Sequence, residues 1–374
     1  MFYDVAVIGA GVFGAWTAYK LRQAGASVLL LDGYGPGNSR ASSGGESRMI
    51  RMGYGPDEIY SRMAQRSLAF WQTLFGERYR LLVKTGILWL ARDEDPYCEA
   101  TLATLGRLGV NHEKLGHDEI ARRYPQITLG AVTWGILEPD SGVLLARRAV
   151  QAVATEARAI GVEYREAAIA FDNGAIRTAS GEQIVADRFV FACGPWLPKL
   201  FPELLGERIY VTRQEVIFLG VPPGDDRFNA EVMPCWIDFN DLVYALPNIE
   251  GRGFKIAIDA HGPEFDPDTG QRVVTESGLV AAREYLALRV PTLAGAPVSE
   301  TRVCQYENTS NGDFLIDQHP GFENVWLVGG GSGHGFKHGP AVGEYVTQML
   351  SGDGTPEPRF SLASKQRVQE RKVF

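Results

Sequence analysis

A glycine-rich turn near the start of the chain constrains the fold more than any other feature. Residues 5–8 are an apolar run, GAGVFG follows at 9–14, and a helical segment extends to about Ala24. A second apolar run at 27–31 then leads to Asp32. Strand, GxGxxG, helix, strand and acid, in this order, form the dinucleotide-binding fingerprint of a Rossmann-type fold.

The fingerprint assigns a role to each of its residues. Gly9, Gly11 and Gly14 allow a tight turn and bring backbone N–H groups close to a pyrophosphate at the helix N-terminus. The Asp32 carboxylate is expected to accept hydrogen bonds from the adenosine ribose. We therefore predict a bound dinucleotide cofactor at this end of the strands.

Further pieces of the same kind of fold recur along the chain. Residues 143–160 read as a helix, residues 161–193 as short strands, and the strand at 325–328 enters GGGSGHG, with a helix after it to about Leu350. A helix is also expected to open at Pro56. These pieces predict an α/β fold in which a Rossmann-type domain is assembled from three segments, 1–80, 141–205 and 300–374. The segments between them, 81–140 and 206–299, are expected to form an α+β substrate domain with a mainly antiparallel sheet.

Composition excludes several classes of protein. The 374 residues suit two or three domains, and a net charge of −8 without a basic run argues against a nucleic-acid partner. Four separated cysteines with no CxxC pair support neither a disulfide scaffold nor a metal site. The longest uncharged stretch, residues 5–19, is shorter than the roughly 20 residues that span a bilayer. We therefore expect a cytoplasmic protein with no membrane partner.

The fingerprint alone does not separate FAD from NAD. The chain has one such motif, which argues against a flavin enzyme that passes electrons to NADPH. The late glycine-rich turn at 329–335 could also offer backbone N–H groups to a flavin's pyrimidine oxygens. Together the two observations favour FAD as the cofactor.

Motifs along nearly the whole chain resemble those of one family. They are, in order, VIGAGVFG, SSGGESRMIRMGYG, KTGILWL, LEPDSGVL, FVFACGPW, GFKIAID, VCQYENTSNGDFLIDQHP and GGGSGHGFKHGPAVGE. The chain resembles the glycine/D-amino-acid oxidase superfamily of flavoproteins. Within it, the resemblance is strongest to the branch of monomeric sarcosine, N-methyltryptophan and pipecolate oxidases.

The resemblance implies roles for particular residues. Cys304 is expected to bond covalently to the 8-methyl carbon of FAD, and Lys255 to activate oxygen beside the reduced flavin. Arg51 and Lys337 are expected to clamp a substrate carboxylate. Arg48 is expected near the flavin ring, with Tyr244 and Tyr306 shaping the pocket. Further cofactor contacts are expected from Ser42, Gly194, Trp196, Gly333, His334, Gly335 and Lys337.

Two departures from the family pattern concern the substrate. Ser43 and Gly44 stand where sarcosine oxidases carry paired histidines, and Asp259 replaces a histidine four residues after Lys255. The loss of bulk and of basic side chains predicts either a larger substrate or one whose distal cation is attracted by Asp259.

The function implied by the resemblance is a flavin-dependent oxidase of secondary, N-alkyl or cyclic amino acids. Its expected partners are an amino acid with a free carboxylate and O2, and the expected state is a monomer. A dehydrogenase with another electron acceptor, an oxidase of fructosyl amino acids, and a non-catalytic or biosynthetic flavoprotein remain as alternatives. The asparagine-containing loop expected of a deglycating enzyme is absent from SSGGESR.

Overall fold

A computed structural model describes residues 2–172 and 174–368, without the side chains of residues 75–78. Asn173, part of an expected turn, lies outside the described residues. The strands are β1 Tyr3–Ile8, β2 Val28–Asp32, β3 Arg48–Ile50, β4 Leu82–Val83, β5 Ile87–Ala91, β6 Glu113–Gly116, β7 Trp134–Glu138, β8 Gly142–Leu144, β9 Glu163–Glu166, β10 Ile169–Asp172, β11 Ala175–Thr178, β12 Ala186–Phe191, β13 Ile209–Leu219, β14 Cys235–Asp238, β15 Val243–Leu246, β16 Phe254–Ile258, β17 Val298–Thr309, β18 Leu315–His319 and β19 Phe322–Gly329. The helices are α1 Val12–Gln23, α2 Glu58–Tyr79, α3 Pro96–Arg107, α4 His117–Arg123, α5 Ala146–Ala159, α6 Leu197–Leu200, α7 Pro202–Leu205, α8 Glu276–Arg289, α9 Pro291–Ala294 and α10 Gly339–Ser351.

Two of the predicted helices begin later than the sequence pattern indicated. The helix expected from residue 143 starts at Ala146, because residues 142–144 pair with β3 and β4 as the strand β8. The helix expected to open at Pro56 starts at Glu58, after Asp57 in the capping position. Tertiary pairing and local capping thus moved both boundaries by two or three residues.

The first sheet has the order β18-β19-β12-β1-β2-β9. Its pairs are parallel, except for the antiparallel edge pair β18–β19. The strands come from three separate stretches of the chain, and α1 packs against α5 and α10 on this sheet. This is the predicted Rossmann-type sheet, in which ligands bind beyond the carboxyl ends of the parallel strands.

The second sheet has the order β17-β13-β16-β15-β14-β5-β7-β6 and is antiparallel except for the pair β5–β14. Its edge strand β17 pairs with β13 from Thr309 to Val298 and lies beside residues 194–196, which follow β12 of the first sheet. The predicted α/β fold with a mainly antiparallel second sheet is therefore confirmed. The assignment of chain segments to two domains stays a prediction.

The helices of residues 2–172 and 174–368 include none that joins the length and the apolar character needed to cross a membrane. The same residues contain no cluster of three or more His, Cys, Asp or Glu side chains placed to hold a metal ion.

Candidate active site

The glycine-rich turn brings β1, α1 and the end of β12 into close contact. Gly9 has a φ of +102°, and a Cβ added to it would lie 2.3 Å from the carbonyl oxygen of Ala192. A Cβ on Gly14 would lie 1.8 Å from the carbonyl oxygen of Gly9. Only glycine fits at either position, and the close packing leaves the N-terminus of α1 open toward a ligand.

Asp32 ends β2 beside this turn. Its carboxylate accepts hydrogen bonds from the backbone N–H groups of Ala10 at 2.7 Å and Tyr34 at 2.8 Å. Burial raises the pKa of Asp32, and these N–H donors oppose the shift. The carboxylate is thus oriented at the rim of the cavity that begins here.

A cavity of about 330 Å³, called the larger cavity below, extends from the turn to Cys304. It is lined by ten of the predicted cofactor residues, namely Gly9, Gly11, Asp32, Ser42, Arg48, Gly194, Trp196, Cys304, Gly333 and Gly335. Gly14 is not in the lining, because it serves the packing beneath the turn. His334 and Lys337 line a neighbouring cavity instead.

Two polar atoms identify the larger cavity as a site for a polar ligand. The Ser42 hydroxyl and the Oε2 atom of Glu307 are buried, belong to residues that line the cavity, and have no hydrogen-bond partner among the described residues. Buried polar groups without partners are rare in folded proteins, because each one costs free energy. The glycine-lined turn and the two unpartnered atoms fit a bound FAD.

Cys304 lies at the far end of the larger cavity, against Arg48. An Nη2–H of Arg48 donates to Sγ of Cys304 at 3.1 Å and to the carbonyl oxygen of Ser42 at 2.9 Å. Among the four cysteines, all of them free, Cys304 has this contact.

A second cavity of about 90 Å³, called the smaller cavity below, adjoins the larger one. The predicted catalytic residues Arg48, Arg51, Tyr244, Lys255, Tyr306 and Lys337 all line it. The two cavities share part of their lining, including Arg48, Cys304 and Tyr306. The fold thus brings together side chains that lie up to 289 positions apart in the chain, between Arg48 and Lys337.

Lys255 in β16 is buried on one side of the smaller cavity. Its Nζ donates to the carbonyl oxygen of Ser47 at 2.9 Å and to the hydroxyl of Ser47 at 3.3 Å. Burial, together with the nearby Arg48 charge, lowers the pKa of Lys255 to about 7. A lysine held here without a carboxylate partner among the described residues is available to stabilise negative charge that develops in the cavity.

Arg51 and Lys337 bring two cationic groups to the smaller cavity. The Arg51 guanidinium lies 4.3 Å from the ring centre of Tyr54 and 4.9 Å from that of Trp89, in cation–π geometry. Lys337 Nζ donates to the Tyr54 hydroxyl at 2.6 Å and to the carbonyl oxygen of His334 at 2.9 Å. Burial and then the Arg51 charge hold the pKa of Lys337 well below its ordinary value. An anionic ligand would relieve the repulsion between these two cations.

Asp259 and Tyr306 form a hydrogen-bonded pair in the same cavity. The Tyr306 hydroxyl donates to Oδ1 of Asp259 at 2.6 Å. Burial raises the pKa of Asp259 to about 6, and Tyr306, Arg51 and Lys337 oppose that shift. Tyr244 also lines the cavity, 5.7 Å from Lys255 Nζ measured to the ring centre. The lining of the smaller cavity therefore includes Asp259, as well as Asp238, beside its basic groups.

His334 is buried at the wall of the smaller cavity, against the aromatic rings of Tyr54, Tyr60 and Phe314. Its Nδ1 is 3.2 Å from the Tyr54 hydroxyl, and its Nε2 is 3.1 Å from the carbonyl oxygen of Gly312. Both ring nitrogens are thus bonded within the protein. The contacts describe a histidine that fixes the turn at 329–335.

Sequence reasoning did not single out two residues of the site, Tyr54 and Glu307. Tyr54 follows Arg51 by three positions, and Glu307 follows Cys304 by three. In an extended segment, that spacing places two side chains on opposite faces, so the period of a strand gave no signal for either residue.

Comparison with known proteins identifies the class of protein. A family model described as FAD dependent oxidoreductase, DAO, matches residues 4–349. The chain therefore belongs to the DAO family of FAD-dependent oxidoreductases, and the predicted resemblance is confirmed.

Particular relatives lie in the sarcosine oxidase branch. The chain is 31% identical to the monomeric sarcosine oxidase of Bacillus sp. (strain B-0618) over 380 residues, which cover 98% of this chain and 96% of that protein. It is also 31% identical to the peroxisomal sarcosine oxidase of Mus musculus over 361 residues, 93% of this chain and 92% of that protein. The solved structure of L-proline dehydrogenase from P. horikoshii has the same fold, with a TM-score of 0.83 at 21% identity over 96% of each chain.

Proposed function

We propose that this protein is an FAD-dependent oxidase of secondary amino acids that releases hydrogen peroxide. The observation that carries the proposal is the shared wall of the two cavities. Arg48, Cys304 and Tyr306 separate a glycine-lined cavity of cofactor type from a cavity that contains Arg51, Lys337 and Lys255. Cofactor and substrate bound in these adjoining cavities would lie next to each other. The sarcosine oxidases to which the chain is similar support the same class of substrate.

FAD would be held in the larger cavity. The backbone of the turn at Gly9, Gly11 and Gly14 would receive the pyrophosphate, and Asp32 the ribose. Ser42 and Glu307 would contribute the unpartnered polar atoms. When bound, FAD supplies a two-electron acceptor.

Cys304 would attach the cofactor covalently. Arg48 donates a hydrogen bond to its sulfur at 3.1 Å. A thioether to the 8-methyl carbon requires that the thiol and the methyl group each lose a proton, and the flavin ring takes up the two electrons. Acid denaturation tests the linkage directly: the yellow colour should stay with the precipitated wild-type protein and pass into the supernatant for Cys304→Ser. Release from the wild type would refute the bond.

The substrate would bind in the smaller cavity with its carboxylate on Arg51 and Lys337. These two cations would orient the molecule so that the C–H bond next to the amine faces the larger cavity. The amine would lose two electrons and two protons to become an imine, which water hydrolyses. Lys255 would stabilise the negative charge that forms as O2 takes up the two electrons and, with two protons, becomes H2O2.

The volume of the smaller cavity bears on the two expectations about substrate size. At about 90 Å³ it suits a compact molecule, and its Asp259 supplies negative charge. We therefore favour a compact secondary amino acid that carries an additional cationic group over a bulky one. Faster turnover of sarcosine than of such a substrate would contradict this choice.

An anaerobic screen tests the proposed activity. The purified yellow enzyme is mixed without oxygen with N-methyl, cyclic and glycated amino acids, and loss of the flavin absorbance near its visible maximum is followed. We expect bleaching by N-methyl or cyclic amino acids and peroxide formation when air is admitted. Bleaching by glycated amino acids alone, or reoxidation by quinones but not by O2, would replace the proposal with one of the two alternative activities. If no amino acid bleaches the flavin, the protein is not an amino-acid oxidase.

We also propose that the enzyme acts as a monomer in the cytoplasm. The four cysteines of the chain are free, which fits a reducing compartment. The name of the bacterial relatives, monomeric sarcosine oxidase, supports the oligomeric state. Light scattering coupled to gel filtration would detect a dimer.

A further inference from the structure

Glu307 is a buried carboxyl group to which the proposed reaction gives no chemical role. It lies in β17, three residues after Cys304, and it is 8% exposed. Its carboxylate lies between Gly194, three residues after the end of β12, and the turn at 329–335. A Cβ added to Gly194 would be 3.7 Å from Oε2, and one added to Gly331 would be 3.4 Å from Oε1. Three parts of the chain thus surround one acidic group at the wall of the larger cavity.

The two oxygens of Glu307 differ in their surroundings. Oε1 accepts a hydrogen bond from the backbone N–H of Gly331 at 3.3 Å, whereas Oε2 is buried without a partner among the described residues. Within residues 2–172 and 174–368, no lysine, arginine or histidine forms an ion pair with Glu307. One oxygen of a residue that lines the larger cavity is therefore unsatisfied.

Three other buried carboxylates, those of Asp238, Asp313 and Glu138, are fully bonded. Asp238 pairs with Arg289 at 2.7 Å, and Asp313 pairs with Arg359 at 2.7 Å. Glu138 accepts from two backbone N–H groups, the Trp89 indole and the Ser141 hydroxyl. The fold satisfies buried acids where they are structural, so the open oxygen of Glu307 points to a ligand that completes it.

The charge environment decides which protonation state suits this position. Burial raises the pKa of Glu307 to about 7, against the opposing effect of the backbone N–H groups of Gly331 and Gly330. The titratable neighbour in the described part of β12 and its following loop is Cys193, whose thiol pKa is also raised by burial. The charged groups that line the same cavity are Asp32, Arg48, Lys199 and Asp268. A ligand that fills the cavity removes water from it, which further favours the neutral acid.

We propose that Glu307 is a positioning residue for FAD, a neutral carboxylic acid whose Oε2–H donates a hydrogen bond to a polar acceptor atom of the cofactor. Reduction makes the flavin more electron-rich, so this donor stabilises the reduced cofactor more than the oxidised one. When the acid ionises at higher pH, the donor is lost and a negative charge replaces it. The midpoint potential should therefore fall more steeply with pH than it would without Glu307.

The test uses the FAD-loaded enzyme and no amine substrate, so that its result is independent of the proposed activity. The flavin is reduced stepwise with dithionite, which supplies the two electrons, in the presence of a reference dye at several pH values. Glu307→Gln keeps a neutral donor of the same shape, and Glu307→Leu removes the donor. Glu182→Gln is the control, because Glu182 is exposed, pairs with Arg165 and lines neither cavity.

We expect Glu307→Gln to match the wild type at low pH and to lose the additional pH dependence above neutrality. Glu307→Leu should have a lower potential than the wild type at low pH, because it lacks the donor, and a higher one at high pH, because it lacks the negative charge of the ionised acid. Glu182→Gln should follow the wild type. A wild-type pH dependence that persists unchanged in Glu307→Gln would overturn the proposal.

A second measurement compares the affinity for FAD in proteins without the covalent bond, because that bond would hide any change in affinity. In a Cys304→Ser background, Glu307→Leu should raise the Kd for FAD about tenfold, the effect of one lost hydrogen bond to the ligand. Glu307→Gln should change it little. Equal FAD affinity in all three proteins would show that Glu307 makes no bond to the cofactor.

Discussion

The Nζ atom of Lys337 lies 2.6 Å from the hydroxyl oxygen of Tyr54, and that hydroxyl is in turn 2.7 Å from Nε2 of His338. The lysine donates to the tyrosine, so the tyrosine hydrogen is free to reach the histidine. Tyr54 also lies beneath the Arg51 guanidinium. One buried aromatic residue thus orients both cations to which we assign the substrate carboxylate.

We predict that Tyr54→Phe weakens substrate binding more than it slows the chemical step. The substitution keeps the ring under Arg51 but removes the acceptor that holds Lys337. We expect KM to rise about tenfold, because a hydrogen bond to a charged group contributes about 1.5 kcal/mol or more. Steady-state kinetics provide the measurement. Tyr60→Phe is the matched control, since Tyr60 lies in the same aromatic cluster but donates to Asp313. A tenfold fall in kcat at constant KM would contradict the prediction.

Lys255→Met should separate the two half-reactions. The substitution removes the positive charge near which we propose that O2 is reduced, while Arg51 and Lys337, the proposed contacts of the substrate carboxylate, remain. We expect reoxidation by O2 to slow about a hundredfold, the effect of one lost electrostatic stabiliser, and anaerobic reduction by substrate to change little. Stopped-flow absorbance measures each step separately. Lys84→Met, at an exposed lysine paired with Asp140, serves as the control. Similar losses in both steps would rule out a specific role in oxygen activation.

Gly9→Ala should destabilise the protein and reduce its FAD content. The new Cβ would lie 2.3 Å from the carbonyl oxygen of Ala192 at a φ of +102°. Gly25→Ala is a close control, because its φ is +100° but no heavy atom lies within 4 Å of the added Cβ. Backbone strain alone costs of order 1 kcal/mol, so any further loss in Gly9→Ala measures the clash. Thermal unfolding and the ratio of flavin to protein absorbance would show it. Equal losses of stability in Gly9→Ala and Gly25→Ala would mean that the backbone at Gly9 adjusts and that the clash with Ala192 adds no free-energy cost.

Recognition of a cationic substrate by Asp259 should depend on pH. The pKa of Asp259 is raised to about 6, so its carboxyl is ionised above that pH and neutral below it. We expect kcat/KM for N-methyl-2,3-diaminopropionate to exceed that for its neutral isostere, N-methyl-2-aminobutyrate. The preference should decline as the pH falls through about 6 and should be absent in Asp259→Asn. The ratio of kcat/KM for the two substrates cancels pH effects on catalysis that both share. If the ratio of kcat/KM for the two substrates changes neither with pH nor in Asp259→Asn, charge recognition by Asp259 is excluded.

Local patterns in the sequence determined a large part of this structure. Residues 5–32 specify strand, turn, helix and strand within a few positions, because the apolar periodicity and the glycines act over short distances. The resemblance to the family, and not local periodicity, singled out Cys304, Lys255, Arg51 and Lys337, and the structure places all four around the two adjoining cavities. The strand at residues 142–144 escaped prediction, because its pairing partners, β3 and β4, are remote in the chain.

Only the tertiary structure decided which polar groups meet. The sequence by itself determined the cofactor turn and the family of the protein, since both follow from short motifs. It did not indicate that Tyr54 would hold Lys337, 283 positions away, or that Asp259 would accept from Tyr306. Nor did it show that one oxygen of Glu307 would stay unpaired. Whether a buried polar atom finds a hydrogen-bond partner depends on every element packed around it. For Glu307, those neighbours are in place only once β12, β17 and the turn at 329–335 have come together.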